Sequence, residues 1–519
     1  MQKLKLYDTT LRDGAQAEGI SYSVMDKIRI AQELDKFGLQ YIEGGWPGSN
    51  PKDLEFFKKM TKIRLKNSAL VAFSMTRRQG LKANQDKNIK TLVKCGAKII
   101  TIVGKTWELH IKDVLKIGLE ENLKMIEDTV SYLASCGLIV FYDAEHFFDA
   151  YKDNKEYSLK CLLTAQEAGA KAICLCDTNG GTLTSKITKI IAEIKPRIKV
   201  DLGIHCHNDA GLAIANSIAA VEAGCSMVQG TINGYGERCG NADLIPIIAN
   251  LKLKLGIDCI TNQNLKELTH VSHFISEISN MRIKNDQPFV GESSFAHKGG
   301  MHINAVMKNP RTYEHIDPAL VGNHHRILIS ELGGKTGIML RAKAMDLDLS
   351  KEDPKTKKIL KLIQDMEHKG YHFEAAEASF ELLMKKALKK YDKFFELEGF
   401  RVVIEKQSNK KITSEAIIKV KVKGIKEHTA AEGDGPVNAL DNALRKALKD
   451  FYPQLSKMHL SDFKVRVLDE KAGTAARVRV LIQSQDEEDT WDTIGVSENI
   501  IEASWQALVD SVEYKLLKG

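Results

Sequence analysis

Several devices that organise other proteins are missing from this chain. Its nine cysteines all fall between Cys95 and Cys259, the number is odd, and no Cys-x-x-Cys pair occurs. A disulfide frame or a zinc knuckle is therefore not expected, and reduced thiols in a cytoplasmic protein are the simplest reading. No run approaches 18 consecutive apolar residues, so no membrane span is expected. The opening Met1-Gln2-Lys3-Leu4-Lys5-Leu6-Tyr7-Asp8 lacks the apolar core of a signal peptide. Charge of one sign is also scarce. The net +7 is spread over 519 residues with Lys and Glu intermixed, which gives no stripe for nucleic acid and at most helps to attract anionic substrates.

What is present is ordinary in amount and regular in order. Hydrophobic residues make up 43% and charged residues 28%, enough for a normal core, and the length suggests about three domains. Over the first 255 or so residues, short apolar runs alternate with helical patterns in eight pairs. Strands are expected near Leu4–Tyr7, Gln40–Glu43, Ala69–Phe73, Lys98–Val103, Leu138–Tyr142, Lys171–Cys176, Lys199–Ile204 and Met227–Thr231. Helices follow at about 24–37, 51–60, 85–95, 115–135, 156–169, 183–194, 210–223 and 242–255. Nearly continuous apolar strands alternating with helices imply parallel βαβ units covered on both faces. Eight such units suggest a closed (β/α)8 TIM barrel. An open doubly wound sheet is the alternative, although no Gly-x-Gly-x-x-Gly follows the first strand to mark a dinucleotide fold.

Beyond the barrel, about 260–345 reads as irregular, and about 346–394 as Lys/Glu-rich helices with Pro354 as a start and Ile359, Ile363 and Met366 on one face. From about 395, alternation takes over: Ile418-Lys419-Val420-Lys421-Val422-Lys423 and Arg477-Val478-Arg479-Val480 each place apolar groups on one side and cations on the other. Each strand set leads into a helix, which makes a two-fold repeat of about 60 residues. The expected division is a catalytic barrel over 1–275, mostly helical linker subdomains over 276–394, and a C-terminal α+β domain over 395–519.

In such a barrel chemistry gathers at the C-terminal ends of the strands. His205 and His207 fall there, two apart on one strand and so on one face, as two imidazole ligands of a divalent metal would be. Ordinary polar or core histidines are the alternative. Asp13, after strand one, would add a carboxylate, or else pair with Arg12; Asn241 would add an amide oxygen, or else serve a turn. Arg12 suits bidentate binding of a carboxylate. Glu145, ending strand five, can take part in proton transfer, and Thr178 can bind a substrate carboxylate. Glu43 can hold water, orient Arg12 or make a structural hydrogen bond. Gly234, Gly236 and Gly240 read as a flexible loop, with a phosphate cradle as a weak possibility. Trp46, Phe73 and Ser74 are expected to wall the pocket.

Three runs in this order carry a resemblance: Asp8-Thr9-Thr10-Leu11-Arg12-Asp13-Gly14, His205-x-His207-x-Asp209, and Gly234-x-Gly236-Glu237-Arg238-x-Gly240-Asn241. Together they resemble the alpha-isopropylmalate, homocitrate and citramalate synthases. Glu432-Gly433-Asp434-Gly435-Pro436-Val437 resembles the C-terminal allosteric and dimerisation domain of isopropylmalate synthases. The tail Gly495-Val496-Ser497-Glu498-Asn499-Ile500-Ile501-Glu502-Ala503-Ser504-Trp505, with Thr76-Arg77-Arg78, is most like the citramalate branch.

The resemblance implies a Claisen condensation of acetyl-CoA with pyruvate on the isoleucine route, a divalent metal (Mn, Mg or Zn) and no organic prosthetic group. It implies metal ligation by Asp13, His205, His207 and Asn241, and a base formed by His302 with Glu145. It also implies a substrate-near Tyr313, a homodimer and an amino-acid inhibitor, isoleucine, at the C-terminal domain. Where isopropylmalate synthases commonly carry His-Gln-Asp, this chain has His302-Ile303-Asn304. Isopropylmalate or homocitrate synthesis, a retro-aldol lyase and a non-enzymatic metal sensor are the other readings.

Overall fold

The structure is a computed structural model that describes residues 4–328, 339, 342, 354–406, 408, 411–468 and 476–518. It divides into two compact units, Met1–Phe295 with His315–His325, and Ala296–Glu314 with Arg326–Gly519.

The first unit is a closed barrel of eight parallel strands in sequence order. They are β1 (Lys5–Asp8), β2 (Tyr41–Gly45), β3 (Ala69–Met75), β4 (Ile99–Lys105), β5 (Ile139–Glu145), β6 (Ala172–Asp177), β7 (Asp201–Cys206) and β8 (Met227–Gly230). The ring closes where β1 pairs with β8, Tyr7 opposite Gln229 and Asp8 opposite Gly230. Around it run α1 (Val24–Phe37), α2 (Pro51–Met60), α3 (Lys87–Lys94), α4 (Leu119–Ser135), α5 (Phe147–Asp153), α6 (Lys155–Glu167), α7 (Thr184–Ile194), α8 (Ala213–Glu222) and α9 (Leu244–Leu253).

Local chemistry explains where the helices begin and end. Ser23 and Asp26 form a reciprocal capping box at the start of α1, and Gly38 ends it in the left-handed region at φ +91°. Pro51 occupies the first turn of α2, where its missing N–H costs nothing. The lower barrel interior is filled by Tyr7, Val71, Ile99, Phe141, Cys174 and Met227, a packed apolar layer. The cluster of Asp13, His205 and His207 sits above that layer, at the C-terminal strand ends.

The order of strands and main helices matches the sequence reading, with additions. The short helix α5 follows β5 directly, burying Phe147, Phe148 and Tyr151. Helix α10 (Leu268–Ile278) lies in the stretch read as irregular, although Leu268, Val271 and Ile275 recur at helical spacing and are buried. Among the described residues no helix is long and apolar enough to cross a membrane.

The second unit begins with a short pair, β9 (Ala296–His297) and β10 (Arg326–Ile327), and helix α11 (Gly300–Lys308). Helices α12 (Pro354–His368) and α13 (Glu377–Ala387) follow, with Ile359 and Ile363 of α12 buried alongside Phe373 and Phe380. The part of the expected helical stretch over 346–353 lies outside the described residues. Then the same arrangement occurs twice. Strands β11 (Phe395–Glu405), β12 (Thr413–Val422) and β13 (Ile425–Gly433) precede α14 (Pro436–Leu448); β14 (His459–Val467), β15 (Val478–Gln485) and β16 (Thr490–Ser497) precede α15 (Ile500–Lys518). Each triplet is an antiparallel three-stranded sheet. On β12, Ala416, Ile418, Val420 and Val422 are buried and Lys419 and Lys421 exposed, the alternation of a sheet covered on one face.

One buried contact sets the end of β2. The register shifts between Glu43 and Gly45, a bulge, and Gly45 adopts φ +130°. Asp53 accepts from the Trp46 amide (2.8 Å) and pairs with Lys27, whose Nζ also donates to the Gly44 carbonyl (3.0 Å). Burial lowers the Lys27 pKa against the pull of Asp53. Removing one partner leaves a buried charge uncompensated. Lys27→Met is therefore expected to destabilise the protein by about 3 kcal/mol. The urea midpoint of the barrel transition measures this, and a loss under about 0.5 kcal/mol would show that the pair does not hold the bulge.

Candidate functional site

The run after β1 is shaped by its own side chains. The Asp8 carboxylate accepts from the Thr10 amide (3.0 Å) and hydroxyl (2.7 Å), a turn of the Asx type. The Thr9 carbonyl then accepts from the amides of Arg12, Asp13 and Gly14. Thr10 Oγ1 also accepts from the Ile232 amide (2.9 Å), which ties this loop to the one after β8. Arg12 and Asp13 are thereby delivered to the barrel mouth on a rigid support.

Asp13, His205 and His207 meet there. A potential ligand atom from each lies within 4.8 Å of the other two, and all three residues are buried. Asp13 Oδ2 is 3.3 Å from His205 Nε2, and the two Nε2 atoms are 3.3 Å apart. Behind His205, Gln229 Nε2 donates to Asp143 Oδ1 (3.0 Å), which turns Gln229 Oε1 toward His205 Nδ1 (3.1 Å). In the neutral imidazole this makes His205 Nδ1 the donor and leaves the Nε2 lone pair facing the cluster. That is the tautomer a metal ligand needs.

The electrostatics are tense. Burial raises the Asp13 carboxyl, but the adjoining Arg12 guanidinium and His205 hold it well below the usual range. Burial lowers His205 and Asp13 more than reverses it, whereas burial and the charge of His205 push His207 down to about 3. Burial, then Glu43, pushes Asp143 up to about 7. A carboxylate and two imidazoles that compete in this way are a donor set that a divalent cation relieves.

Asn241 stands beside His207 through an isolated antiparallel bridge. Its Nδ2 donates to the Tyr235 carbonyl (3.2 Å), and its Oδ1 is buried with no hydrogen-bond partner among the described residues, as is His207 Nδ1. An orphaned buried amide oxygen beside three potential ligands fits a cation and is unusual otherwise. The glycines that precede Asn241 are closely packed rather than a loose loop. A Cβ on Gly236 would lie 2.1 Å from Asn241 Nδ2, and one on Gly240 would lie 2.1 Å from the Gly234 carbonyl oxygen. Close backbone packing requires them. Arg238 clamps the same loop, through Nε and one terminal nitrogen to the Asp209 carboxylate (2.9 and 3.0 Å) and through the latter to the Thr178 carbonyl (2.6 Å).

The remaining expected residues divide into two groups. Arg12 Nε donates to Glu43 Oε1 (2.6 Å), and its guanidinium lies 4.1 Å over the Phe73 ring. Glu43 is fully buried and also accepts from the Tyr7 hydroxyl (2.5 Å), so it orients Arg12. Thr178 Oγ1 accepts from the His146 amide (2.9 Å), which leaves its own O–H free to donate; His146 sits in the left-handed region at φ +54° to make that contact. Glu145 is ion-paired with Lys105. Arg12, Thr178, Lys105 and Glu145 line one cavity of about 280 Å³ together with Asp13, His205 and His207, and Glu43 stands behind Arg12 outside its lining. His302 and Tyr313 belong to the second unit, where their rings stack at 4.0 Å.

The sequence reading missed Gln229, Lys105 and Tyr7. The first two had a signal: each is a polar residue at the C-terminal end of an otherwise apolar strand. Trp46 and Phe73 form part of the cavity wall, packed edge to face at 5.8 Å. Ser74 does not. It is fully buried on the other face of β3, and Met75 lines the cavity instead, because successive strand residues alternate.

Comparison with known proteins covers the whole chain. The HMGL-like family model matches residues 3–275, the homocitrate synthase post-HMGL domain-like model 289–370, and the LeuA allosteric (dimerisation) domain 374–516. An (R)-citramalate synthase of Geobacter sulfurreducens is 54% identical over 520 residues, covering 100% of this chain and 98% of that protein. One from Aquifex aeolicus is 52% identical, with the same coverage of both. A 2-isopropylmalate synthase of Methanocaldococcus jannaschii is 32% identical, covering 99% of this chain and 95% of that protein. The chain belongs to the HMGL-like family, among its (R)-citramalate synthases.

Proposed function

We propose that this transferase condenses acetyl-CoA with pyruvate and hydrolyses the thioester, releasing (R)-citramalate and CoA on the route to isoleucine. The observation that carries the reading is the buried Asp13–His205–His207 cluster beside Arg12 in a barrel mouth, in a chain that aligns end to end with citramalate synthases. Asp13, His205, His207 and Asn241 would hold a divalent metal, of the Mn, Mg or Zn type. Bound there, it supplies Lewis-acid stabilisation of the charge that develops on the keto oxygen.

The protein's own groups do the rest. Arg12, fixed by Glu43 and by the Phe73 ring, binds the pyruvate carboxylate. The free Thr178 hydroxyl donates to the same carboxylate. Glu145, with His302 reaching in from a partner subunit and Tyr313 beside it, takes the methyl proton of acetyl-CoA. Trp46, Phe73, Met75, Val103 and Leu115 crowd the mouth with apolar surface. These apolar walls would face the methyl group of pyruvate.

We divide the chain into a catalytic barrel over 1–275, linker subdomains over 276–394 that partly complete the site, and a regulatory domain over 395–519. The protein acts in the cytoplasm as a homodimer. Leu397, Val403 and Ile404 on β11, and Leu460, Val465 and Val467 on β14, are exposed apolar residues on edge strands, which a second copy would cover. An amino-acid inhibitor, isoleucine, would bind at this domain.

Release of free CoA thiol tests the substrate, with pyruvate, 2-oxoisovalerate and 2-oxoglutarate offered in turn and Mn²⁺ or Mg²⁺ present. Pyruvate should be preferred by at least about 100-fold, the discrimination a well-packed pocket supplies. Thiol released with 2-oxoisovalerate and not with pyruvate would replace citramalate by isopropylmalate synthesis. For the metal, His205→Ala should lower turnover by more than about 100-fold and abolish tight Mn²⁺ binding, with the circular dichroism melt retained. Unchanged turnover in that variant removes the assignment. For regulation, isoleucine added to the full-length enzyme should slow thiol release more than leucine does. Indifference to both amino acids would sink the effector reading.

A further inference from the structure

Lys105, the cation at the end of β4, lies on the cavity wall apart from the Asp13–His205–His207 cluster. Val103 and Lys105 share the inward face of β4, because residues two apart point the same way, and both line the cavity. Gly104 between them faces outward, where a Cβ would lie 2.6 Å from the Tyr142 ring. The backbone of Lys105 is pinned from α4: Asn122, itself fully buried, donates from Nδ2 to the Lys105 carbonyl (2.9 Å). Lys105 stands directly opposite Glu145 in the β4–β5 register, and the two side chains form an ion pair. Both are only about one-fifth exposed.

We propose that Lys105 is a catalytic residue that stabilises the thioester enolate of acetyl-CoA. The proposal rests on the reading that Glu145 removes the methyl proton. In that step a C–H bond breaks and its proton moves to a Glu145 oxygen. The electron pair left behind forms the C=C bond of the enolate, and the thioester carbonyl becomes an oxyanion. Glu145 is neutral at the end of the step, so the Lys105 ammonium loses its anionic partner as a new anion forms in the same cavity. Moving the ion pair from carboxylate to enolate oxygen keeps net charge balanced throughout. It also makes the contact stronger in the transition state than in the ground state, which is the condition for acceleration rather than mere binding. When the enolate carbon attacks the keto carbon, the oxyanion collapses to a thioester carbonyl and Lys105 is released.

Arg12 is poorly placed for this task. Its Nε is committed to Glu43 and a terminal nitrogen lies 3.3 Å from Asp13. Arg238 is held by Asp209 and the Thr178 carbonyl. Among the cavity-lining cations, Lys105 is the one paired with the proposed base.

The test uses the full-length enzyme with acetyl-CoA and pyruvate. Lys105→Met should lower kcat by about 10²–10³-fold, the cost of one oxyanion donor, while the KM for pyruvate changes less than about 3-fold. With the acetyl methyl deuterated, the variant should show a larger primary isotope effect on kcat than the native enzyme, because proton removal has become the slow step. Lys105→Arg, which keeps a cation, should recover at least about 10-fold of the loss. A merely structural lysine would move neither the isotope effect nor the kcat-against-KM split. Lys105→Met with native kcat and isotope effect overturns the proposal if Glu145→Gln is inactive. If Glu145→Gln is also fully active, the base reading fails first and the proposal with it. Should Lys105→Met fail to fold, Lys105→Arg decides through the same isotope measurement: a native isotope effect with kcat lowered more than about 100-fold overturns it.

Discussion

Everything at the mouth of this barrel depends on bringing one carboxylate and two imidazoles together out of water. Asp13, His205 and His207 are each at most 6% exposed, and their nearest polar atoms are about 3.3 Å apart. Buried groups at that distance cannot each keep their ordinary protonation, and burial alone opposes every charged form. The arrangement survives because the surroundings over-determine it. Arg12 compensates Asp13, Gln229 and Asp143 fix the rotation and tautomer of His205, and the bridge between His207 and Asn241 locks the end of β7 to the loop after β8. A cluster so strained in charge and so rigid in shape is pre-organised for a cation, which repays the desolvation with coordination.

The loops therefore have little freedom. The stretch after β1 is welded to the stretch after β8 through Thr10 and Ile232, and the latter is welded to β6 and β7 through Arg238. Three of the sequence motifs turn out to be one structural object: a ring of short polar contacts around the mouth. The glycines in the last motif serve it by absence, since any side chain at Gly236 would strike the Asn241 amide. Below the ring, the aromatic and aliphatic plug of Tyr7, Phe141 and Met227 closes the barrel, and Tyr7 links the two layers through Glu43.

Much of this was legible in the chain, for physical reasons that differ by level. Strands such as β6, buried over its whole length, read as unbroken apolar runs, and α1 announces itself by Ser23, Asp26 and Gly38. Those are local signals. His205 and His207 were legible because a strand puts i and i+2 on one face. The rest depended on contacts between distant residues. Nothing near Asn241 in sequence distinguishes a turn residue from one whose oxygen is buried without a partner. The sequence leaves Glu43 three roles, and only the fold puts Arg12 and Tyr7 on its two oxygens. Helix α10 was missed for another reason: a region read as irregular hid a three-turn apolar stripe that its own spacing reveals.

The mouth also has two sides of different character, and the reaction explains why. Making a carbon–carbon bond between two carbonyl compounds needs one to be an electrophile and the other a nucleophile at the same moment. The electrophile requires positive charge at its oxygen, which a cation held by Asp13, His205 and His207 would supply in the proposed site. The nucleophile must first give up a proton from carbon, so its side requires a base that starts charged and a cation that remains when the base is spent. In the proposed mechanism Glu145 and Lys105, opposite one another on adjacent strands and ion-paired, would be that pair. Placing both couples on one rigid ring keeps them from neutralising each other. Arg12 answers Asp13 in the loop after β1, and Lys105 answers Glu145 across the β4–β5 register.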